Sequence, residues 1–187
     1  THTTENEIPL RLVGSEMCIR DRVLSEGDIE LFNQKIIPSV QPTHATSDMY
    51  WLYDRIGKER AKHAYAFQDL LEKSSVIAFG TDFPVEDINP MMTFYSATVR
   101  KDKDGFPEDG FQTENIMNRV DALKAMTIFG AYANFEENEK GSIEVGKDAD
   151  FIILDNDILR SPEASIPNTN VVATFINGEL VFNRRYN

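Results

Sequence analysis

Two continuous apolar runs, each followed by polar residues, constrain the fold of this chain most. Residues 36–40 read I-I-P-S-V and lead to His44, while residues 76–80 read V-I-A-F-G and lead to Asp82. Continuous apolar strands that alternate with helices are typical of a parallel sheet covered on both faces. The sequence therefore predicts an α/β fold, in which Pro38 makes the first strand less regular.

Segments with helical spacing of apolar residues lie before, between and after these two strands. Ser25 and Asp28 form an N-capping pattern in front of the first helical stretch. The predicted helices span residues 26–34, 48–73 and 120–132, and the segment 86–118, rich in glycine and proline, is predicted to be mostly loop.

After residue 136 the pattern changes from helices to strands. Asn177-Gly178 lies between two apolar runs and is the strongest short hairpin signal in the chain. The predicted strands span residues 142–145, 151–154, 171–176 and 179–182.

Charge and composition narrow the classes of partner. The formal net charge is −12 and the calculated pI is about 4.7, which argues against nucleic acid and against an anionic membrane surface. No apolar run approaches the ~20 residues that a membrane-spanning helix needs. A single cysteine, Cys18, excludes a disulfide framework. No signal peptide is recognisable, but this carries no weight because we expect the true N-terminus to be missing; the compartment stays open, with the cytoplasm as the default.

The beginning of the chain reads differently from the rest. Residues 11–22 spell R-L-V-G-S-E-M-C-I-R-D-R, which resembles the translation of an adapter and transposase end used to prepare sequencing libraries. We therefore expect residues 1–22 to be a non-native artefact, and residues 11–22 to pack against nothing. The alternative is a surface loop followed by a short polar segment.

Three motifs from residue 23 onward resemble a known family. They are Q-P-T-H at 41–44, G-T-D-F-P-V at 80–85 and G-S-I-E-V-G-K-D-A-D at 141–150. Together they resemble amidohydrolase family 3, a group that includes N-substituted formamide deformylase.

The resemblance implies an architecture as well as a reaction. The family has a metal-bearing (β/α)₈ barrel and a small β-sandwich built from both chain termini. Residues 23–139 would then be the C-terminal part of the barrel, with its seventh and eighth strands at 36–44 and 76–82. Residues 140–187 would be the C-terminal share of the sandwich.

Asp82 is the candidate catalytic residue and metal ligand that the resemblance implies. It follows the predicted eighth strand, and active sites of such barrels lie at the C-terminal ends of the strands. A carboxylate there can accept a proton from the attacking water and pass it to the leaving amine. The alternative is that Asp82 only caps the turn before Pro84.

The remaining candidates are weaker. His44 is expected to contact substrate or to hold a side chain that contacts the metal or substrate, and the alternative is a turn histidine bonded to backbone. His63 is expected on the solvated surface, and Arg100 in a surface ion pair rather than against a substrate carboxylate. The helical aromatic residues Tyr50, Trp51 and Tyr53 are expected to be core rather than pocket lining.

The chain lacks most of the metal ligands that the resemblance implies. No H-x-H pair occurs in it, and one carboxylate cannot form a tetrahedral zinc site. We therefore expect the C-terminal portion of a hydrolase that uses a divalent metal, zinc above all, to act on the C–N bond of a small amide or N-acyl compound. By itself this portion is expected to be inactive and to bind no metal. The alternative is a non-catalytic binding or scaffold module derived from an amidohydrolase.

Overall fold

The computed structural model describes residues 12–13, 23–32 and 36–184. Helices α1–α6 and strands β1–β7 follow one another as an α/β segment and then a small antiparallel sheet. Their bounds are β1 Leu12–Val13, α1 Glu26–Ile29, β2 Ile36–Ile37, β3 Ser39–Val40, α2 Thr43–Ala61, α3 Phe67–Ser74, β4 Ala78–Phe79, α4 Pro90–Thr98, α5 Arg119–Met126, α6 Ile128–Ala133, β5 Phe151–Leu154, β6 Val171–Ile176 and β7 Glu179–Asn183. Short 3-10 helices span Thr113–Asn115 and Glu163–Asn168.

The two apolar runs form the predicted parallel pair. In β3 and β4, Ser39 lies opposite Ala78 and Val40 opposite Phe79. Pro38 divides the first run into β2 and β3, because proline has no amide hydrogen to give to a strand ladder. Its carbonyl still accepts a 2.9 Å hydrogen bond from the Ala78 amide, which keeps the strands aligned.

Part of the segment expected to pack against nothing is paired. In β1, Leu12 and Val13 lie parallel to Ile36 and Ile37 of β2, so the expectation is wrong for these two residues. The physical reason is that a strand edge presents unpaired N–H and C=O groups to any extended segment nearby. The other residues of the range 11–22 lie outside the described residues.

The first helices differ in their limits from the prediction. The four residues of α1 begin at a complete capping box, in which Ser25 and Asp28 bond each other's backbone amides. The strand expected over 36–44 is wrong in its last residues, because α2 begins at Thr43. The helix expected over 48–73 is two helices, and α2 is itself kinked at Gly57, whose φ of 74° lies outside the helical region.

The segment 86–118, expected to be loop, contains a nine-residue helix. Asn89 accepts a hydrogen bond from the Met91 amide and Pro90 takes the first helical position. An asparagine cap followed by proline starts a helix, since proline needs no donor there and its φ is already helical. The glycines and proline that suggested loop lie mainly in residues 101–112.

The helix predicted over 120–132 is divided at Thr127. This residue has φ −129° and ψ −97°, which ends α5 and separates it from α6. Its hydroxyl donates to the Leu123 carbonyl at 2.8 Å, as threonine often does near a helix end.

The C-terminal sheet has the order β5-β6-β7 and is antiparallel throughout. Asn177 and Gly178 both have positive φ, 50° and 78°, as the predicted hairpin turn requires. The strand expected at 142–145 is wrong. Ile143 and Val145 are fully exposed, and within the described residues no strand pairs with them.

Two clusters of buried apolar side chains form most of the core. The first lies among β3, α2, α3 and the chain after α4, with Leu52, Phe67 and Ile77 at its centre. The second surrounds α4 and is completed by Ile158 and Ile166 from residues beyond 139. In the part of the chain that the structure describes, no helix is both long and apolar enough to cross a membrane.

Arg100 is buried, not on the surface as expected. Its guanidinium donates to the carbonyls of Phe111 (2.9 Å) and Tyr65 (3.2 Å) and to the Gln112 side chain (2.9 Å). The Phe67 and Phe111 rings lie 5.3 and 5.6 Å from its central carbon. Burial lowers the pKa of Arg100 to about 10, so it remains protonated at neutral pH. Neutral acceptors and aromatic faces thus take the place of the expected carboxylate.

Exchange of Arg100 for lysine should destabilise the chain. A lysine ammonium cannot reach all three acceptors, and each buried acceptor left unpaired costs about 1–3 kcal/mol. The measurement is urea unfolding followed by far-UV circular dichroism. The exposed Arg55→Lys is the control and should stay within about 0.5 kcal/mol of wild type. Equal stability of the two variants would contradict the described role of Arg100.

Gly141 should tolerate alanine less well than another glycine of similar φ. The φ values are 89° at Gly141 and 82° at Gly105, but an added Cβ at Gly141 would lie 2.7 Å from the Ala131 Cβ and 2.9 Å from the Ile128 Cα. Nothing lies within 4 Å at Gly105. Gly105→Ala should cost about 1–2 kcal/mol through its backbone alone.

Gly141→Ala should cost about 1–3 kcal/mol more than Gly105→Ala, because its added Cβ would also overpack against Ala131 and Ile128. The same unfolding assay measures both variants. A Gly141→Ala loss no larger than that of Gly105→Ala would show that the chain does not approach Gly141 closely.

Candidate functional site

The parallel pairing of β3 and β4 brings the two predicted site residues together. His44 follows β3 and Asp82 follows β4, so both leave the sheet at the carboxyl ends of neighbouring parallel strands. The distance from His44 Nε2 to Asp82 Oδ2 is 2.8 Å. This edge of an α/β sheet is where such folds bind ligands.

His44 is fixed by the helix on which it lies. It occupies the first turn of α2, and its side chain is 2% exposed. One turn of α2 packs against α4 through hydroxyl groups: Thr46 Oγ1 lies 3.0 Å from Ser96 Oγ and donates to the Thr43 carbonyl. These buried contacts hold the start of α2, and with it the imidazole, in place.

Asp82 occupies a turn whose backbone has an uncommon conformation. Its φ is 59°, in the left-handed region, which aspartate tolerates better than most residues. The main-chain carbonyl of Asp82 closes the turn by accepting from the amides of Val85 (2.7 Å) and Glu86 (3.2 Å). The carboxylate is directed at His44 and is partly exposed.

A third side chain of this cluster, Glu86, was missed in the sequence. Its Oε1 lies 2.7 Å from Nδ1 of His44 and accepts a 2.6 Å hydrogen bond from the Ser47 hydroxyl. The available signal was spacing: Glu86 lies four residues after Asp82 in a tight turn, and Ser47 lies three after His44 on one helix face. We call His44, Ser47, Asp82 and Glu86 the histidine–carboxylate cluster.

The cluster places one buried imidazole between two carboxylates that are themselves only partly exposed. The exposed fractions of the side chains are 2% for His44, 22% for Asp82 and 15% for Glu86. Hydrogen bonds to ionised groups strengthen where water is displaced. The arrangement can hold the Asp82 carboxylate in one orientation, and this carboxylate, which is partly exposed, can accept or donate a proton.

The residues of this cluster do not make a metal site among themselves. Both ring nitrogens of His44 face carboxylates, whereas a histidine ligand gives one nitrogen to the metal. No group of three or more His, Cys, Asp or Glu side chains in the described ranges is placed to hold a metal ion. Asp82 as a metal ligand therefore stays a prediction.

Other candidates lie outside the cluster. Tyr50, Trp51 and Tyr53 are all exposed on α2, so the expectation that they are core is wrong. Tyr50 stacks on Phe106 and donates to Asp102, a hydrogen bond that raises the pKa of the tyrosine. The Tyr53 ring also contacts the Phe111 ring, so these two tyrosines pack on residues after α4.

His63 is only partly solvated. It is half-buried, and its carbonyl accepts a 3.3 Å hydrogen bond from the Leu24 amide. His63 therefore lies where the residues around Leu24 meet the end of α2, and not on the fully solvated surface as expected.

Comparison with known proteins gives a family match over most of the chain. A sequence profile described as the amidohydrolase family matches residues 29–182. Among curated relatives, the protein LONG AFTER FAR-RED 3 of Arabidopsis thaliana is 35% identical over 85% of this chain and 27% of its own length. N-substituted formamide deformylase of Arthrobacter pascens is 26% identical over 67% of this chain and 23% of its own length.

A solved structure shows the same relation. An uncharacterised metal-dependent hydrolase from Pyrococcus horikoshii is 30% identical, with a TM-score of 0.66, over 83% of this chain and 30% of that protein. The chain thus spans about a quarter of the length of these two curated relatives and slightly under a third of the length of the solved structure.

The 187-residue chain should hold no stoichiometric zinc. Both ring nitrogens of His44 face carboxylates, so Asp82 is left with too few partner ligands, and incomplete coordination loses most of the binding free energy. After incubation with zinc and dialysis, elemental analysis should find the metal content of a metal-free protein control. About one tightly held zinc ion per chain would contradict the prediction.

Proposed function

This chain belongs to the amidohydrolase family, and on that premise we propose that it forms the Asp82-bearing part of an active site that hydrolyses carbon–nitrogen bonds other than peptide bonds. The observation that carries the proposal is the 2.8 Å contact of Asp82 with His44 where two parallel strands end. A turn-capping aspartate needs no such partner, while a carboxylate that handles protons has to be held in a fixed direction.

The proposed substrate is a small molecule with an amide, N-formyl or N-acyl group. The relative from Arthrobacter pascens is named for the removal of formyl groups from N-substituted formamides. Hydrolysis adds water across the C–N bond and releases an acid and an amine. The acidic net charge of the chain favours a small substrate over nucleic acid or an anionic membrane.

A divalent metal, zinc above all, would supply activation of the water in the complete enzyme. Within the described residues no group of side chains is placed to hold that metal, and the further ligands would come from segments that the longer relatives possess. The isolated chain is accordingly proposed to be inactive.

Asp82 is proposed as the catalytic proton carrier. Its carboxylate takes a proton from the attacking water as the new C–O bond forms, and gives it to the amine nitrogen as the C–N bond breaks. His44, which faces Oδ2, would keep this carboxylate in one orientation during both transfers. Its burial suits a supporting role next to Asp82 better than a direct role on substrate.

The proposed architecture follows the family. The strands β3 and β4, which lie within the expected ranges 36–44 and 76–82, would belong to the seventh and eighth strands of a (β/α)₈ barrel within residues 23–139, and residues 140–187 would contribute to a β-sandwich. The parallel register of β3 and β4, and the separate antiparallel sheet β5-β6-β7, support this assignment. Residues 1–22 would be foreign to the native protein.

Asp82→Asn should abolish most turnover in an enzyme that contains this chain as its C-terminal part. Asparagine keeps the size and much of the hydrogen bonding but cannot accept the proton, so kcat should fall on the order of a hundredfold or more. Activity is measured on N-formyl and N-acyl amines, and a melting curve confirms that the variant is folded.

Asp87→Asn is the matched control. Asp87 lies in the same turn but is exposed, and its contact to the Asn89 amide survives as asparagine. Its kcat should equal that of the unmodified enzyme. Unchanged turnover in folded, metal-loaded Asp82→Asn would reject the catalytic role and show that Asp82 is only a turn residue.

A further inference from the structure

We propose that Glu86 is a positioning residue, which holds the His44 imidazole so that Nε2 stays on the carboxylate of Asp82. Its value for catalysis rests on the function proposed above, but the contacts that carry it belong to the described chain. Oε1 of Glu86 lies 2.7 Å from Nδ1, and Nε2 lies 2.8 Å from Oδ2 of Asp82.

Two contacts on opposite sides of the ring fix its orientation. A half-turn of the imidazole about the Cβ–Cγ bond would place Cε1 where Nε2 lies and Cδ2 where Nδ1 lies. The second contact at Nδ1 prevents that rotation. Because the His44 side chain is 2% exposed, bulk water is poorly placed to replace Glu86 as the partner.

The hydrogen between His44 and Glu86 then has an assigned place. An ionised carboxylate only accepts, so the hydrogen in the contact with Glu86 is carried by Nδ1. The Ser47 hydroxyl donates to the same Oε1, which is consistent with an oxygen that accepts twice. The contact between Nε2 and Asp82 needs a second hydrogen, carried either by Nε2, in which case both ring nitrogens donate, or by the Asp82 carboxyl group. Glu86 fixes which ring nitrogen faces Asp82 without touching the reacting atoms.

Glu86 is itself held by the turn that carries Asp82. Its amide donates to the Asp82 carbonyl at 3.2 Å, and its side chain returns to His44 and Ser47, which lie one helical turn apart on α2. The backbone turn and the helix face thus form a closed path through the four residues. A change at Glu86 is expected to reach Asp82 through the imidazole.

Nuclear magnetic resonance of the 187-residue chain labelled with ¹⁵N-histidine tests the proposal without any catalytic assay. His44→Gln identifies the His44 signals among those of the three histidines. Wild type should show a ring N–H at Nδ1 of His44 that is protected from exchange and lies far downfield. Glu86→Gln keeps the size but replaces a charged acceptor by a weaker neutral one, so this resonance should move upfield or be lost.

Glu59→Gln is the control, since Glu59 is an exposed glutamate on α2 whose carboxylate pairs with Lys62. It should leave the His44 signal unchanged, and melting curves should show all variants folded. Glu86→Ala, which removes the acceptor, should abolish the protected signal. A His44 signal that is unprotected in folded wild type, or unchanged in both Glu86 variants, would overturn the proposal.

A kinetic arm separates this proposal from the function on which it rests. In an enzyme that contains the chain, Glu86→Gln should lower kcat roughly 10- to 100-fold while KM changes little, as loss of a supporting partner does. A displaced ring signal with unchanged kcat would overturn the positioning role. If Asp82→Asn also left kcat unchanged, the proposed function would fail as well, and the two failures are thus distinguishable.

Discussion

A buried imidazole held between two carboxylates is the interaction on which the account of this chain depends. His44 is reached from one side by Asp82 and from the other by Glu86, at 2.8 and 2.7 Å. Neither carboxylate would be near the imidazole without the β3–β4 register, which places the ends of two strands at one edge. The fold is therefore required for the site, although both strands are only two residues long.

The surrounding structure supplies the rigidity that such short strands cannot. The start of α2 is fixed to α4 by a hydroxyl contact between Thr46 and Ser96, and α4 lies in an apolar cluster that includes Ile158 and Ile166. Arg100 joins the residues after α4 to the loop before α3 through carbonyl groups and aromatic faces. Packing remote from the cluster thus restrains the helix that carries His44.

The sequence predicted those features that depend on local pattern. Apolar runs indicated the parallel pair, and Asn177-Gly178 indicated the hairpin, because strand and turn chemistry leave direct marks on composition. The α4 helix was missed since its cap and first proline were taken for a loop signal. The prediction of a strand at 142–145 was wrong because a strand needs a partner strand, and an apolar run alone does not show whether a partner lies beside it.

The site was only half predictable for a similar reason. His44 and Asp82 follow recognisable strands. Glu86 joins the site only because its turn folds back on α2, where it contacts His44 and Ser47, which lies 39 residues earlier in the chain. The burial of Arg100 likewise depends on carbonyl groups that become available only in the folded chain. Long-range polar contacts of this kind carry no periodic signal in a sequence.

The most direct test of the central interaction is a double-mutant cycle between His44 and Asp82, measured by urea unfolding of the chain. The variants are His44→Gln, Asp82→Asn and the two combined, all of which keep side-chain size close to the original. Residues in direct contact should show a coupling free energy of about 0.5–3 kcal/mol. Strictly additive effects of the two substitutions would contradict the account, because they would mean that the imidazole and the carboxylate do not interact.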